Sequence, residues 1–335
     1  MKFSKKCKSI QKSTSMKLYP LQFEPILKER IWGGTKLKTE LNKDIQSQIT
    51  GESWEISTIE NDVSVITNGK LAGRSLNDLI DEFPIEVLGT KVYTKFGKQF
   101  PLLFKYLDAR EDLSIQVHPN DELAKKRHNS FGKTEMWYVV QADLNARLIV
   151  GFKEKSSPEE YIQNLKDRTL LSILDVKEVK KGSAFFLETG TIHAIGAGTL
   201  IAEIQQTSDV TYRVYDFDRV DKNGNKRELH IDSALEALNF DKINAKRFYS
   251  QIRNISNEIV NCRYFTTNFI PLDGSIKIDK NNNSFKVYMC VEGDFQITIE
   301  GETFSFFKGN TILIPANLTS FQLDGTSSIL EIFIS

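Results

Sequence analysis

KGSAFFLETGTIH, residues 181–193, aligns without a gap on KGNTILIPANLTS, residues 308–320. Each stretch starts with Lys-Gly, runs through four or five apolar residues and stops at a turn, which is how a short buried strand reads. Ahead of that match in each half, Glu135 to Gly151 and Phe285 to Gly301 each span sixteen positions and set Tyr138 opposite Tyr288. Self-similarity of this kind predicts one scaffold built twice. The rest of the chain agrees. SVITNG (64–69), QFPLLFKYLD (99–108), LSIQVHP (113–119), EMWYVV (135–140) and ARLIVGF (146–152) are β-branched or aromatic and end at turn residues. Turn signals recur at Glu292-Gly293, Glu300-Gly301, Lys308-Gly309 and Asp324-Gly325, the spacing of a sandwich or jelly roll. The expected fold is mainly β: two jelly-roll β-barrel domains with a few short helices.

The helices carry their own punctuation. Ser75 opens SLNDLIDEF, with Asp78 three positions on and Leu76, Leu79, Ile80 and Phe83 on one face. Ser157-Pro158-Glu159-Glu160 is a capping box with proline at the first helical position. IDSALEALNF (231–240) gathers Ile231, Leu235 and Leu238. Beyond it QIRNISNEIVN (251–261) is polar and unpatterned, so the domains are expected over 16–245 and 262–335, after an extension over 1–15.

At 335 residues and 40% hydrophobic, the chain can bury a sizeable core. Lys plus Arg equals Asp plus Glu, 44 against 44, which gives no reason to expect nucleic acid or an anionic membrane as partner. The basic start MKFSKKCKSIQKSTS is not followed by the apolar stretch of a signal peptide. Cys7, Cys262 and Cys290 form no CxxC pair, which argues against disulfides or a cysteine metal site and fits a reducing cytoplasm.

Four histidines are present: His118, His128, His193 and His230. In SIQVHP, Ser114, Gln116 and His118 recur at period two and share one face of a strand. Glu135 starts an aromatic β segment where an unpaired carboxylate would be costly. His193 lies in the turn of ETGTIHAIGAG. Taken singly, each reads as a hydrogen-bonded structural residue. Together, two imidazoles and a carboxylate on adjoining strands make a ligand set suited to one zinc ion. His128 and His230 read as solvated or capping side chains. The second half has Phe285 and Ser320 where the first has Glu135 and His193. It should therefore lack a metal, with Phe285, Val287, Ile312 and Ile314 filling its interior.

LSIQVHPND, GKTEMWYV, TIHAIGAGTLIAEIQQTSDVTYRVYDFDR and the opening FEPILKERIWGG resemble type I mannose-6-phosphate isomerase, a cupin family, in its short bacterial form. The resemblance runs from about Met16 to the C-terminus. It implies interconversion of mannose 6-phosphate and fructose 6-phosphate through an enediolate, with one Zn²⁺ per chain bound by His118, Glu135 and His193. Gln116 matches a further ligand position. Ser114 and Lys133 match positions that hold the sugar phosphate, Arg213 the active-site arginine, and Glu203 an acid beside the substrate. Lys133 and Glu203 are both open as the group that moves the proton, as is a metal-bound water. One departure is LETG (187–190), where many relatives carry prolines ahead of His193. Other readings of the residues remain: Arg213 and Arg219 as surface pairs with Asp216 and Asp218, the ligands as those of a non-haem Fe(II) oxygenase, or a cupin that binds sugar without catalysis.

Overall fold

The computed structural model describes residues 17–220 and 223–335, so the extension expected over 1–15, with Cys7, lies outside it. Seven strands form one sheet in the order Ile26–Gly34, Thr50–Ile56, Leu102–Ala109, Thr199–Gln206, Glu135–Ala142, Ala184–Leu187 and Lys246–Arg247. Five others, Tyr212–Tyr215, Ile115–Val117, His193–Ile195, Arg147–Phe152 and Leu174–Glu178, form a second. Alternation along the strands explains how the two stack. Leu107, Trp137, Val139 and Ile201 from the first sheet meet Leu148, Val150 and Ile195 from the second in one buried cluster. The sheets stay open at their edges, so the domain is a cupin-type sandwich rather than a closed barrel. Short helices cover the outer face of the five-stranded sheet, where Leu123, Tyr161 and Ala234 pack with Ile115, Val117 and Val214.

Both predicted caps form: Ser75 Oγ accepts from the Asp78 amide and Ser157 Oγ from the Glu160 amide, each at 3.1 Å. The third helix spans Ile231–Ala237 and stops short of Leu238. SVITNG is not a strand. It makes only single bridges at Val65 and Ile66, because Ser64 Oγ accepts from the Ser57 amide at 2.9 Å and Asn68 Oδ1 from Gln22 at 3.0 Å. Such side-chain bonds compete with a ladder.

A third large sheet runs Asn257–Asn261, Thr266–Asp279, Ser320–Phe333, Lys286–Ile299 and Glu302–Phe307, with Thr311–Ile314 also paired to Lys286–Ile299. Its three longest strands have 14 residues each and fold over a core of Tyr288, Phe295, Ile312, Ile314 and Leu323. A bulge between Cys290 and Glu292 bends the middle of one of them. Gly293 follows at φ 70°, where a Cβ would sit 2.2 Å from the Thr326 carbonyl oxygen, so only glycine lets the bulge close. The opposite face presents Phe285, Val287, Met289, Leu330 and Ile332 to Phe104, Tyr106, Met136 and Tyr138 of the seven-stranded sheet, in one continuous core.

The repeat is real in three dimensions, with a correction. Leu187 pairs with Glu135, and its counterpart Ile314 pairs with Lys286. Glu135 therefore corresponds to Lys286 and Trp137 to Tyr288. The sixteen-position match is displaced by one residue, and one residue turns every side chain to the other face. Phe285 and Val287 accordingly fill the core between the sheets, while Ile312 and Ile314 do fill the second interior. Nor is that interior wholly apolar. Glu331, 1% exposed, accepts from Ser256 at 2.8 Å, Asn268 at 2.9 Å and Tyr288 at 3.0 Å, and pairs with the Lys286 ammonium. Glu331 lies between Tyr288 and Asn268 across its strands as Glu203 lies between Trp137 and Lys105.

Candidate metal centre and active site

Gln116 sits on strand Ile115–Val117 with His118 just past its end, and His193 opens the neighbouring strand directly beside Gln116. Glu135 opens a strand of the facing sheet. The sandwich thus closes His118, Glu135 and His193 on one another, with ligand atoms all within 4.8 Å. His118 Nε2 lies 3.3 Å from Glu135 Oε1 and His193 Nε2 lies 3.7 Å from Oε2. Each ring is oriented by its other nitrogen: His118 Nδ1 donates to the Val210 carbonyl at 2.9 Å and His193 Nδ1 to the Thr191 carbonyl at 2.8 Å. A carbonyl only accepts, so both Nε2 lone pairs face the carboxylate. The LETG turn, without its prolines, is still tied down. Gly190 donates its N–H to the His118 carbonyl at 2.9 Å.

Burial drives the His118 imidazole down to about 4, and lowers His193 in the same sense. Burial alone would raise Glu135, but the Lys133 ammonium outweighs it and holds the carboxyl well below its usual range. Lys133 bonds to Glu135 Oε1 and lies 3.1 Å from His118 Nε2. Glu135 Oε2 is buried with no hydrogen-bond partner. An orphaned carboxylate oxygen between two imidazole lone pairs is the donor set a zinc ion takes, and the residues fit that ion. Gln116 has its amide 3.3 Å from His193 Nε2, and a half-turn of the amide presents its oxygen to the same point.

Above this cluster opens a cavity of about 510 Å³ whose wall includes Ser114, Gln116, Lys133, Glu203 and Arg213. The fold thus brings all eight sequence-predicted residues to one place. Glu203 accepts from Trp137 Nε1 at 2.9 Å and faces Lys105 Nζ at 3.3 Å. Arg213 donates from Nη1 to the Glu228 carbonyl at 2.9 Å, while its Nε is buried without a partner. Arg219 does bond Asp216 at 2.5 Å, but Asp216 is buried and shared with Arg227, so this is no surface pair; Arg213 pairs with neither acid, and Asp218 pairs with Lys226. Sequence reasoning missed Arg30, Glu52, Trp54, Lys105 and Arg227 in the cavity wall. Lys105 had left a signal, as the lone charge inside the apolar run PLLFKYL. His128 is exposed, as expected, but also holds a partner, and His230 is half-buried and does not cap. His128 Nε2 is 2.8 Å from the Tyr212 hydroxyl, and His230 starts a helix with no side-chain cap bond while its Nδ1 accepts from the Arg213 amide at 3.0 Å.

Residues 9–139 match the catalytic domain of phosphomannose isomerase type I, and residues 255–334 match the cupin domain of mannose-6-phosphate isomerase. The mannose-6-phosphate isomerase of Streptococcus mutans is 37% identical over 93% of this chain and 97% of its own. Mannose-6-phosphate isomerase ManA of Bacillus subtilis is 38% identical over 91% of this chain and 96% of its own. The crystal structure of the mannose 6-phosphate isomerase from Bacillus subtilis superposes with a TM-score of 0.86 at 33% identity, covering 93% of this chain and 99% of that one.

Proposed function

The chain belongs to the type I phosphomannose isomerase family and is a mannose-6-phosphate isomerase, and we propose that it works through one zinc ion held by His118, Glu135 and His193. The observation that carries this reading is the unpartnered Glu135 Oε2 facing two imidazole lone pairs in a fully buried site. Gln116 adds its amide oxygen as a fourth donor. Bound there, zinc supplies Lewis-acid polarisation of the sugar oxygens.

The chain's own groups do the rest. Isomerisation moves a proton between C2 and C1 of the open sugar through an enediolate. Arg213 cannot lose its charge and has Nε free of other bonds, so it offsets the negative charge that develops on the oxygens. Glu203, held by Trp137 and Lys105, is our choice to carry the proton, with Lys133 and a metal-bound water as the alternatives. Ser114 and Lys133 take the phosphate. The Lys133 ammonium lies against Glu135 and His118, so a phosphate contact would draw it away from the ligands. Residues 16–245, extended by strand Lys246–Arg247, are the catalytic domain, and 262–335, with strand Asn257–Asn261 paired onto it in place of the unpatterned linker expected there, are a supporting domain with no ion. Free thiols at Cys262 and Cys290 support a cytoplasmic enzyme.

A coupled assay with mannose 6-phosphate before and after chelation, with metal analysis, tests the reading. Activity should vanish with the metal, return with zinc and track one equivalent per chain. Full turnover in metal-free protein would end it.

A further inference from the structure

Arg213 belongs to an edge strand, Tyr212–Tyr215, which among the described residues pairs only with Ile115–Val117. An edge residue has backbone groups that need other partners. Here one residue takes both. The Arg213 amide donates to His230 Nδ1 at 3.0 Å, and the Arg213 carbonyl accepts from the His230 amide at 2.8 Å. Two residues earlier the Glu228 carbonyl accepts from the guanidinium at 2.9 Å. The segment 228–230 therefore grips the arginine at backbone and side chain together.

The grip is anchored. His230 leads into helix Ile231–Ala237, whose Ala234 is buried against the five-stranded sheet. On the other side stands the buried Tyr212 ring, 6.4 Å from the His230 ring and 5.6 Å from that of His128. The Tyr212 hydroxyl is bonded to His128 at 2.8 Å. The strand bearing Arg213 is thus braced by both histidines that a sequence reading sets aside.

We propose that His230 is a positioning residue for Arg213: its Nδ1 lone pair fixes the edge-strand amide, and through it the angle at which the guanidinium enters the cavity. This rests on the reading of Arg213 as the arginine that meets the substrate. Replacing the acceptor leaves the charge and the zinc ligands untouched, so the loss belongs to kcat. Displacement of a reacting group by a fraction of an ångström to an ångström costs on the order of ten- to a hundredfold in rate.

The test uses three variants of the zinc-loaded, full-length enzyme. His230→Phe keeps a ring and removes the acceptor. His230→Asn places an amide oxygen close to Nδ1, and His230→Gln moves it one methylene further, away from the Arg213 amide. Phe and Gln should lower kcat about tenfold or more with zinc content unchanged, and Asn should restore most of it. If His230→Phe fails to fold, the contrast of Asn with Gln decides. In an Arg213→Ala background the His230 effect should disappear. Wild-type kcat in both Phe and Gln, or an equal loss with Arg213 already removed, overturns the proposal. An Arg213→Ala enzyme of unchanged kcat overturns the reading of Arg213 itself.

Discussion

At Glu135 a carboxylate is buried between two imidazoles with one oxygen bonded to nothing in the protein. Glu135→Gln keeps the shape but loses the charge, so we expect the purified variant to hold well under half an equivalent of zinc and to show no measurable turnover. Asp108 is a different buried acid. It accepts from the Lys36 amide at 2.6 Å through Oδ2, its Oδ1 has no partner, and burial pushes its carboxyl up to about 6. An unfolded aspartate titrates near 3.9, so between there and about 6 the folded chain holds a proton the unfolded chain has lost. Stability should therefore fall as pH rises through that window. Asp108→Asn should remove the slope and gain on the order of 1–3 kcal/mol at pH 8, with the gap closing toward pH 4. Denaturant titrations of both proteins at the two pH values would check it. Ser114, Gln116 and His118 were legible because period two places them together, whereas Asp108 was not, and Lys105 showed only as a lone charge in an apolar run. A charged residue in a strand reads as solvent-facing until both faces of the sheet are known to be covered, and Lys105 and Asp108 occupy opposite faces of one covered strand.

Helix ends were the clearest local features in the sequence, since a cap depends on residues three apart and on nothing remote. Ser157→Ala removes the bond from the Glu160 amide and should cost about 1 kcal/mol, as caps do. Because helix Pro158–Lys166 packs on the outer face of its sheet, kcat should not change. A denaturant midpoint and an activity measurement on the same preparation would show whether the two separate. Strand register was harder to read. Phe285 through Cys290 is apolar or buried on both faces, apart from Lys286, so alternation could not say which face was which. The matching tyrosines pulled the comparison one residue out of phase. The loop of Ser64 and Asn68 failed for another reason: its composition is that of a strand, and its side-chain hydrogen bonds are not.

Across the whole molecule, the seven-stranded sheet is apolar on both faces, one turned to the active-site sandwich and the other to the second domain. Deleting 262–335 would bare Phe104, Tyr106, Met136 and Tyr138 to water. The shortened chain should be insoluble or unstable, judged by soluble yield; an active, soluble 1–261 fragment would contradict this. The second domain also neutralises its buried acid from within. Lys286→Met should cost roughly 3–5 kcal/mol by stranding Glu331, and adding Glu331→Gln should recover much of it. Melting curves of the single and double variants would check this. That internal ion pair also bears on the history of each molecule in a cell short of metal. The second domain needs no ion for its own buried charge, so it can pack on the seven-stranded sheet and cover it while no ion is to be had. Enzyme made during scarcity would then be a reserve rather than waste. Protein expressed under chelation should be soluble and silent, and should gain activity within minutes of zinc addition, with no new synthesis.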